Sequence, residues 1–310
     1  MTAPAPDITR GILLAGGRGT RLFPLTVTTS KQLVPIFNKP TIFYPLSTMI
    51  AAGVHDILII TTPEHQASFQ QLLGDGRSWG VRLSYATQAE PRGIAEALLI
   101  GAEYIAGAAA TLLMLGDNLL FGPLQFLRDG IRATIDSGTA ATIFGYHVSN
   151  PQAYGVVDFD DNFNALSIEE KPAQPKSSWA VPGMYIFPRD VVARARRLQP
   201  SKRGELEITD LNRAYLDDGL LRVNPIGRGV AWLDTGTPET LLDASNFVHA
   251  VETRQGLLVG CPEEAAYRTG CLSLAGLQAR IADLPAGHYR DYLERLAADP
   301  HLHIDIGQPR

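Results

Sequence analysis

The feature that most constrains this chain is a glycine-rich loop entered directly from an apolar run. Gly11-Ile12-Leu13-Leu14-Ala15 predicts a first buried strand, and Gly16-Gly17-Arg18-Gly19-Thr20-Arg21 follows without a spacer. Glycines placed there let backbone N–H groups approach a phosphate without interference from a Cβ, and a following helix dipole adds attraction. Arg18 and Arg21 flank the turn, and Lys31 follows in Ser30-Lys31-Gln32. Three cations beside a glycine loop favour a polyphosphate ligand over a merely structural turn. A Walker A loop is excluded, because the chain has no Gly-Lys pair. A dinucleotide fingerprint also fails, because Leu22 stands where its last glycine belongs.

Alternating apolar and amphipathic stretches extend this start into β-α units and a mostly parallel sheet. Strands are expected over residues 56–61, 81–85, 111–115 and 140–148, and helices over 45–52 (ending at Gly53), 66–73, 93–105 and 124–135. In the second half, residues 156–159 and 166–169 predict a hairpin around Asp160-Asp161-Asn162. Residues 180–187 read as extended, with Pro182 arguing for a sheet edge or a bulge. Short strands are expected over 222–224 and 230–233, and helices over 189–198, 207–216 and 238–251. After Gln255-Gly256 comes a helical tail, with helices starting near Pro262 and spanning 272–281 and 289–296.

The 310 residues allow one large or two modest domains, taking about 150 per domain. With 45% hydrophobic and 19% charged residues the chain is globular rather than disordered. The balance of 27 basic and 32 acidic residues gives −5, a poor match to a nucleic-acid polymer but no obstacle to a small phosphorylated ligand. No apolar run approaches the ~20 residues of a membrane span. Met1 to Asp7 lacks the features of a secretory signal, so a cytoplasmic location is expected. Cys261 and Cys271 are read as reduced thiols, with no Cys-x-x-Cys or His pair to suggest a metal.

Two isolated acids close expected strands: Asp117 in Leu115-Gly116-Asp117-Asn118, and Asp234 in Trp232-Leu233-Asp234-Thr235-Gly236. Ligands of open α/β sheets bind beyond the carboxyl ends of strands, and two carboxylates meeting there suit Mg²⁺ held against substrate phosphates. Singly each is as good a turn former; beside a phosphate loop the metal reading is better. In Glu169-Glu170-Lys171-Pro172, Lys171 offers a grip on a second phosphate and Glu170 an acceptor for sugar hydroxyls. Asn150-Pro151 leads to Tyr154-Gly155, where the glycine permits close backbone approach. Asp158-Phe159-Asp160 matches the Asp-x-Asp of metal-dependent glycosyltransferases, but reads as hairpin-turn chemistry. His301-x-His303-x-Asp305 reads as a solvated tail, and no Gly-x-Ser-x-Gly elbow supports a serine hydrolase.

The stretch from Leu14 through Gly16-Gly17-x-Gly19-Thr20-Arg21-Leu22-x-Pro24 to Ser30-Lys31-Gln32 resembles the signature loop of sugar-1-phosphate nucleotidyltransferases. Lys39-Pro40, Gly116-Asp117-Asn118, Tyr154-Gly155-Val156-Val157, Glu169-Glu170-Lys171-Pro172, Arg203-Gly204-Glu205-Leu206-Glu207-Ile208-Thr209-Asp210 and Trp232-Leu233-Asp234-Thr235-Gly236 follow in the family's order. The resemblance implies a Rossmann-like α/β core with a C-terminal helical extension. It makes residues 1–255 a catalytic domain with an inserted sugar-binding portion, and 256–310 an assembly or regulatory tail. It implies Mg²⁺-dependent attack by glucose 1-phosphate on the α-phosphorus of dTTP, with pyrophosphate leaving. By position, Leu14, Gly16, Gly17, Gly19, Thr20 and Arg21 would hold the triphosphate, and Gln32, Gln88 and Gly93 the pyrimidine. Arg21, Lys31 and Lys171 would be catalytic, with Asp117 and Asp234 as metal ligands. Asn118, Tyr154, Gly155, Glu170, Lys171 and Val181 would line the sugar site. Members with such a tail resemble homotetramers with a regulatory nucleotide-sugar site between subunits.

Three positions depart from the family pattern. Pro182 replaces an expected threonine, removing a hydroxyl and an N–H; Arg92 replaces an acidic residue; and Glu96 replaces a glutamine. They bear on base and sugar preference, because a site built to bond a hydroxyl discriminates sharply. A relative using UTP or a modified hexose 1-phosphate is the alternative enzyme, and a nucleotide-sugar-sensing module the non-catalytic one. Asp117, Asp234, Arg21, Lys31 and Lys171 together weigh against the latter.

Overall fold

The computed structural model describes residues 8–17, 19–299 and 302; Arg18 and the His301-x-His303-x-Asp305 cluster lie outside the described residues. In chain order the strands are β1 Thr9–Ala15, β2 Pro35–Ile36, β3 Lys39–Pro40, β4 Asp56–Thr61, β5 Arg82–Thr87, β6 Ala110–Leu115 and β7 Asn118–Phe121. There follow β8 Ala141–His147, β9 Gly155–Phe159, β10 Ala165–Glu170, β11 Trp179–Ala180, β12 Met184–Phe187, β13 Leu221–Pro225 and β14 Ala231–Asp234. The central sheet runs β10-β9-β11-β8-β12-β6-β1-β4-β5, with β13 also beside β8. Pairing is parallel across β6-β1-β4-β5 and between β13 and β8, and antiparallel where β12, β11 and the β9–β10 hairpin join.

The parallel strands are apolar on both faces because both faces are covered. Side chains alternate across a strand, so Leu13, Ile57, Ile59 and Met114 enter one core while Ile12, Leu58, Ile60 and Leu113 enter the other. The first core is closed by Leu46, Met49 and Ile50 of helix Phe43–Ala51, which ends before Gly53 at φ +90°. The tail helices Pro262–Arg268, Leu274–Ala282 and His288–Ala298 share this core through Ala266, Leu277 and Leu293. Full burial of a side chain the size of Leu277 or Leu293 stabilises the fold by about 2 kcal/mol. The long helix Pro238–Gln255 starts in a capping box between Thr237 and Thr240. Its buried Glu252 accepts from Lys39 Nζ of β3 at 2.8 Å.

Several elements differ from expectation, among them the helix expected over 189–198, which is Val191–Ala195. The helix expected over 93–105 is a short Glu96–Ile100; it starts late because Gly93 at φ +101° is held against the Leu206 backbone, and gives way to turns from Gly101. The extended run over 180–187 is interrupted around Pro182 as expected, into β11 and β12, but both lie inside the sheet rather than at an edge. Asp234 ends a strand, but β14 pairs only with β7 in a two-stranded ribbon.

Candidate active site

A cleft of about 410 Å³ opens beyond the carboxyl ends of β1 and β6. Leu14, Gly16, Gly17, Arg21, Gln32, Gln88 and Gly93 line it from the first half of the chain. Tyr154, Gly155, Glu170, Lys171 and Val181 line it from the second, and Asp117, Asn118 and Asp234 also face it. Gly19, Thr20 and Lys31 do not line it.

The carboxylates meet because β7 begins right after Asp117 and pairs antiparallel with β14, setting Asn118 opposite Asp234. Asp117 Oδ2 accepts from Lys31 Nζ at 2.5 Å and Oδ1 from Asn118 Nδ2 at 3.0 Å. Asp234 Oδ1 accepts from the Gly236 N–H at 3.0 Å and Oδ2 from the Tyr154 hydroxyl at 3.1 Å. Burial, reinforced by Asp234, pushes that hydroxyl up to about 12, so it stays a donor at neutral pH. Each carboxylate oxygen has a second lone-pair position free of these bonds. Among the described residues no group of three or more His, Cys, Asp and Glu is placed to hold a metal. Two carboxylates alone fit Mg²⁺, which keeps water and substrate oxygens as its other ligands.

On the glycine-loop side, Gln32 is buried; its Nε2 donates to the Gly16 carbonyl at 3.2 Å and its Oε1 accepts from Ser30. Gly17, at φ +96°, has open space where a Cβ would stand. Gly19, at φ +57°, turns instead toward Thr26 and Lys31. Arg21 packs its guanidinium over Gly236, where a Cβ would come within 2.7 Å.

On the hairpin side, Gly155 of β9 pairs with Glu170 of β10, whose carboxylate lies beside it. Glu170 Oε2 accepts from the Thr209 hydroxyl at 2.8 Å. Lys171 sits at φ +43° before Pro172, a left-handed conformation costing about 1 kcal/mol or more. It is pinned where its N–H reaches the Tyr154 carbonyl at 3.0 Å. Pro182 does not line the cleft, although its neighbours Val181 and Gly183 do. Asp160, the second acid of Asp158-Phe159-Asp160, accepts from the Asn162 and Asn164 N–H groups, which is turn chemistry.

A nucleotidyl transferase family profile matches residues 10–251. The chain belongs to this family. It is 51% identical over 287 residues to the glucose-1-phosphate thymidylyltransferase of Neisseria gonorrhoeae, covering 93% of this chain and 99% of the relative. It is 52% identical to the enzyme of the same name from Mycolicibacterium smegmatis, covering 93% and 98%. A Bacillus anthracis protein solved in complex with sucrose superposes with a TM-score of 0.71 at 35% identity, covering 77% of this chain and 94% of that one.

This nucleotidyltransferase also brings Gly183, Arg203 and Trp232 to the cleft, side by side with the expected Asn118. Asn118 is a hub: its Oδ1 accepts from Trp232 Nε1 at 2.6 Å and from the Gly183 N–H at 3.2 Å. Trp232 lies against Tyr154, with ring centroids 5.1 Å apart. Arg203 lines the cleft and forks onto Glu207. Of the Arg203-to-Asp210 motif, Arg203, Glu205, Glu207, Ile208 and Thr209 line the cleft. No helix among the described residues is long and apolar enough to cross a membrane.

Proposed function

We propose that the chain transfers a thymidylyl group from dTTP to glucose 1-phosphate, giving dTDP-glucose and pyrophosphate. The supporting observation is that one cleft holds a glycine loop with Arg21, the paired Asp117 and Asp234, and Lys171 on the opposite half of the chain. Relatives of that name at about half identity favour the same substrates.

A sugar phosphate oxygen attacks the α-phosphorus in line; the new P–O bond forms as the bond to the bridging oxygen breaks and pyrophosphate departs. The glycine loop N–H groups hold the triphosphate, and Leu14 supports them from the end of β1. Thr20 and Gly19 shape the turn that delivers Arg21. Arg21 and Lys31 take up charge on the leaving pyrophosphate. Gln32, Gln88 and Gly93 meet the pyrimidine. Lys171 orients the sugar phosphate, while Tyr154, Gly155, Glu170, Val181 and Asn118 bound the sugar. Asp117 and Asp234 hold Mg²⁺, which supplies neutralisation of phosphate charge when bound. The nucleophile is already an anion, so no general base is needed. Residues 1–255 form the catalytic unit, and the 256–310 tail serves assembly, as a homotetramer with a regulatory nucleotide-sugar site between subunits. The enzyme works in the cytoplasm.

The test is a panel of nucleoside triphosphates crossed with sugar 1-phosphates, read as pyrophosphate. Release with dTTP and glucose 1-phosphate above all other pairs is expected. Preference for UTP or another hexose 1-phosphate would move the substrate assignment, and no turnover with any pair would overturn it in favour of a sensing module.

A further inference from the structure

Arg92 and Glu96, two of the three departures from the family pattern, form one unit with Gln88. Arg92 Nη2 lies 2.7 Å from Glu96 Oε1. The other oxygen, Oε2, accepts from Gln88 Nε2 at 2.8 Å. Gln88 Nε2 also donates to the Gly93 carbonyl at 3.1 Å, so both its hydrogens are engaged. Gln88 and Glu96 are 5% and 7% exposed, so little solvent competes for these bonds. The Gln88 backbone is fixed too, its N–H donating to Thr61 O at 2.8 Å.

A carboxylate accepts and cannot donate, so Glu96, at the shorter of the two bonds and with the Gly93 carbonyl beside it, sets which end of the Gln88 amide faces them. The Gln88 carbonyl is turned the other way, toward Gly16 of the nucleotide loop, where a Cβ would stand 3.0 Å from Oε1. Among the described residues no hydrogen bond reaches that oxygen. We infer that Glu96, steered by Arg92, is a positioning residue that locks the Gln88 carbonyl toward the base and so selects 4-oxo over 4-amino pyrimidine nucleotides. A 4-oxo pyrimidine presents N3–H, which this carbonyl accepts. A 4-amino pyrimidine presents a bare N3, which sets two acceptors face to face. The inference rests on the proposed placement of the base beside Gln88.

The test compares binding of dTTP and dCTP, by calorimetry without sugar phosphate, in the unmodified protein, Glu96→Gln and Arg92→Asp/Glu96→Gln. In Glu96→Gln, Arg92 keeps the oxygen of the new amide, and its NH2 now faces Gln88 and drives the Gln88 amide to turn over. Preference for dTTP is expected to fall about tenfold, the worth of a changed hydrogen bond in a buried site. In the double variant the aspartate accepts from the new NH2, the new oxygen faces Gln88 again, and the preference returns. Return of the preference also excludes misfolding as the cause. An unmodified protein that binds the two nucleotides equally, an unchanged ratio in Glu96→Gln, or a fallen ratio that the double variant leaves low would each overturn the lock. Pyrophosphate release from dTTP and glucose 1-phosphate, measured in parallel, judges the proposed reaction separately, since affinity ratios need no turnover.

Discussion

On the glycine-loop side of the cleft, Gln32 and Gln88 are 3% and 5% exposed and already hydrogen-bonded to neighbours. On the hairpin side, the Lys171 and Arg203 side chains are 58% and 57% exposed, and Lys171 stands 4.0 Å from Glu170. The first side presents polar groups whose directions are fixed before substrate arrives. The second presents charge that water screens until a ligand covers it. Preorganised groups lose little entropy on binding, so in the proposed reaction the fold would set base and triphosphate recognition. Sugar phosphate recognition depends on what the ligand itself excludes. Asp117 and Asp234 stand where the two sides meet.

If that junction is the reacting centre, Asp117→Asn and Asp234→Asn each lower kcat about 10³-fold, the scale of losing phosphate charge neutralisation. Pyrophosphate release checks this, and a loss confined to one substrate's KM would break the comparison. Arg21→Ala and Lys171→Ala come next, at about 10-fold to 100-fold each. The first acts on kcat through the leaving pyrophosphate, and the second on KM for the sugar phosphate; the opposite assignment in initial-rate kinetics would exchange the two sides. Gly93→Ala tests their tie. A Cβ there would lie 2.3 Å from the Leu206 carbonyl at φ +101°. A stability loss of about 2 kcal/mol or more is expected in urea unfolding, and none would mean the tie is slack.

The smallest effect is that of Tyr154→Phe. Losing one hydrogen bond to Asp234, worth about 1 kcal/mol, lowers kcat a few-fold. The Tyr154 hydroxyl rises from 10 to about 12 on folding. Its contribution is therefore full below pH 10 and lost as pH climbs toward 12. The variant flattens part of that alkaline decline in a pH series of unfolding curves.

Much of this was legible in the chain. Strand Asp56–Thr61 and helix Gln66–Leu73 begin and end where their apolar periods do. Glycines and acids at strand ends marked most of the cleft. What periodicity could not show is set by distant backbone. The four-residue β7 is too short to carry a period, yet it places Asp117 beside Asp234. Gly93 delays the start of the Glu96–Ile100 helix because Leu206 lies against it. Gly236 makes room for Arg21, a contact 215 residues away in sequence that no local pattern encodes. The Arg92–Glu96 pair was visible only as two departures, and their compensation appears once both meet at Gln88.

The central claim, one cleft joining a nucleotide side to a sugar phosphate side across Asp117 and Asp234, is tested most directly by the reverse reaction. Purified protein is given dTDP-glucose, pyrophosphate and Mg²⁺, and dTTP and glucose 1-phosphate are followed by chromatography. Equal yields of both products, abolished by chelation and by Asp117→Asn, are predicted. Binding of dTDP-glucose with no dTTP formed, or formation indifferent to chelation and to Asp117, would contradict it.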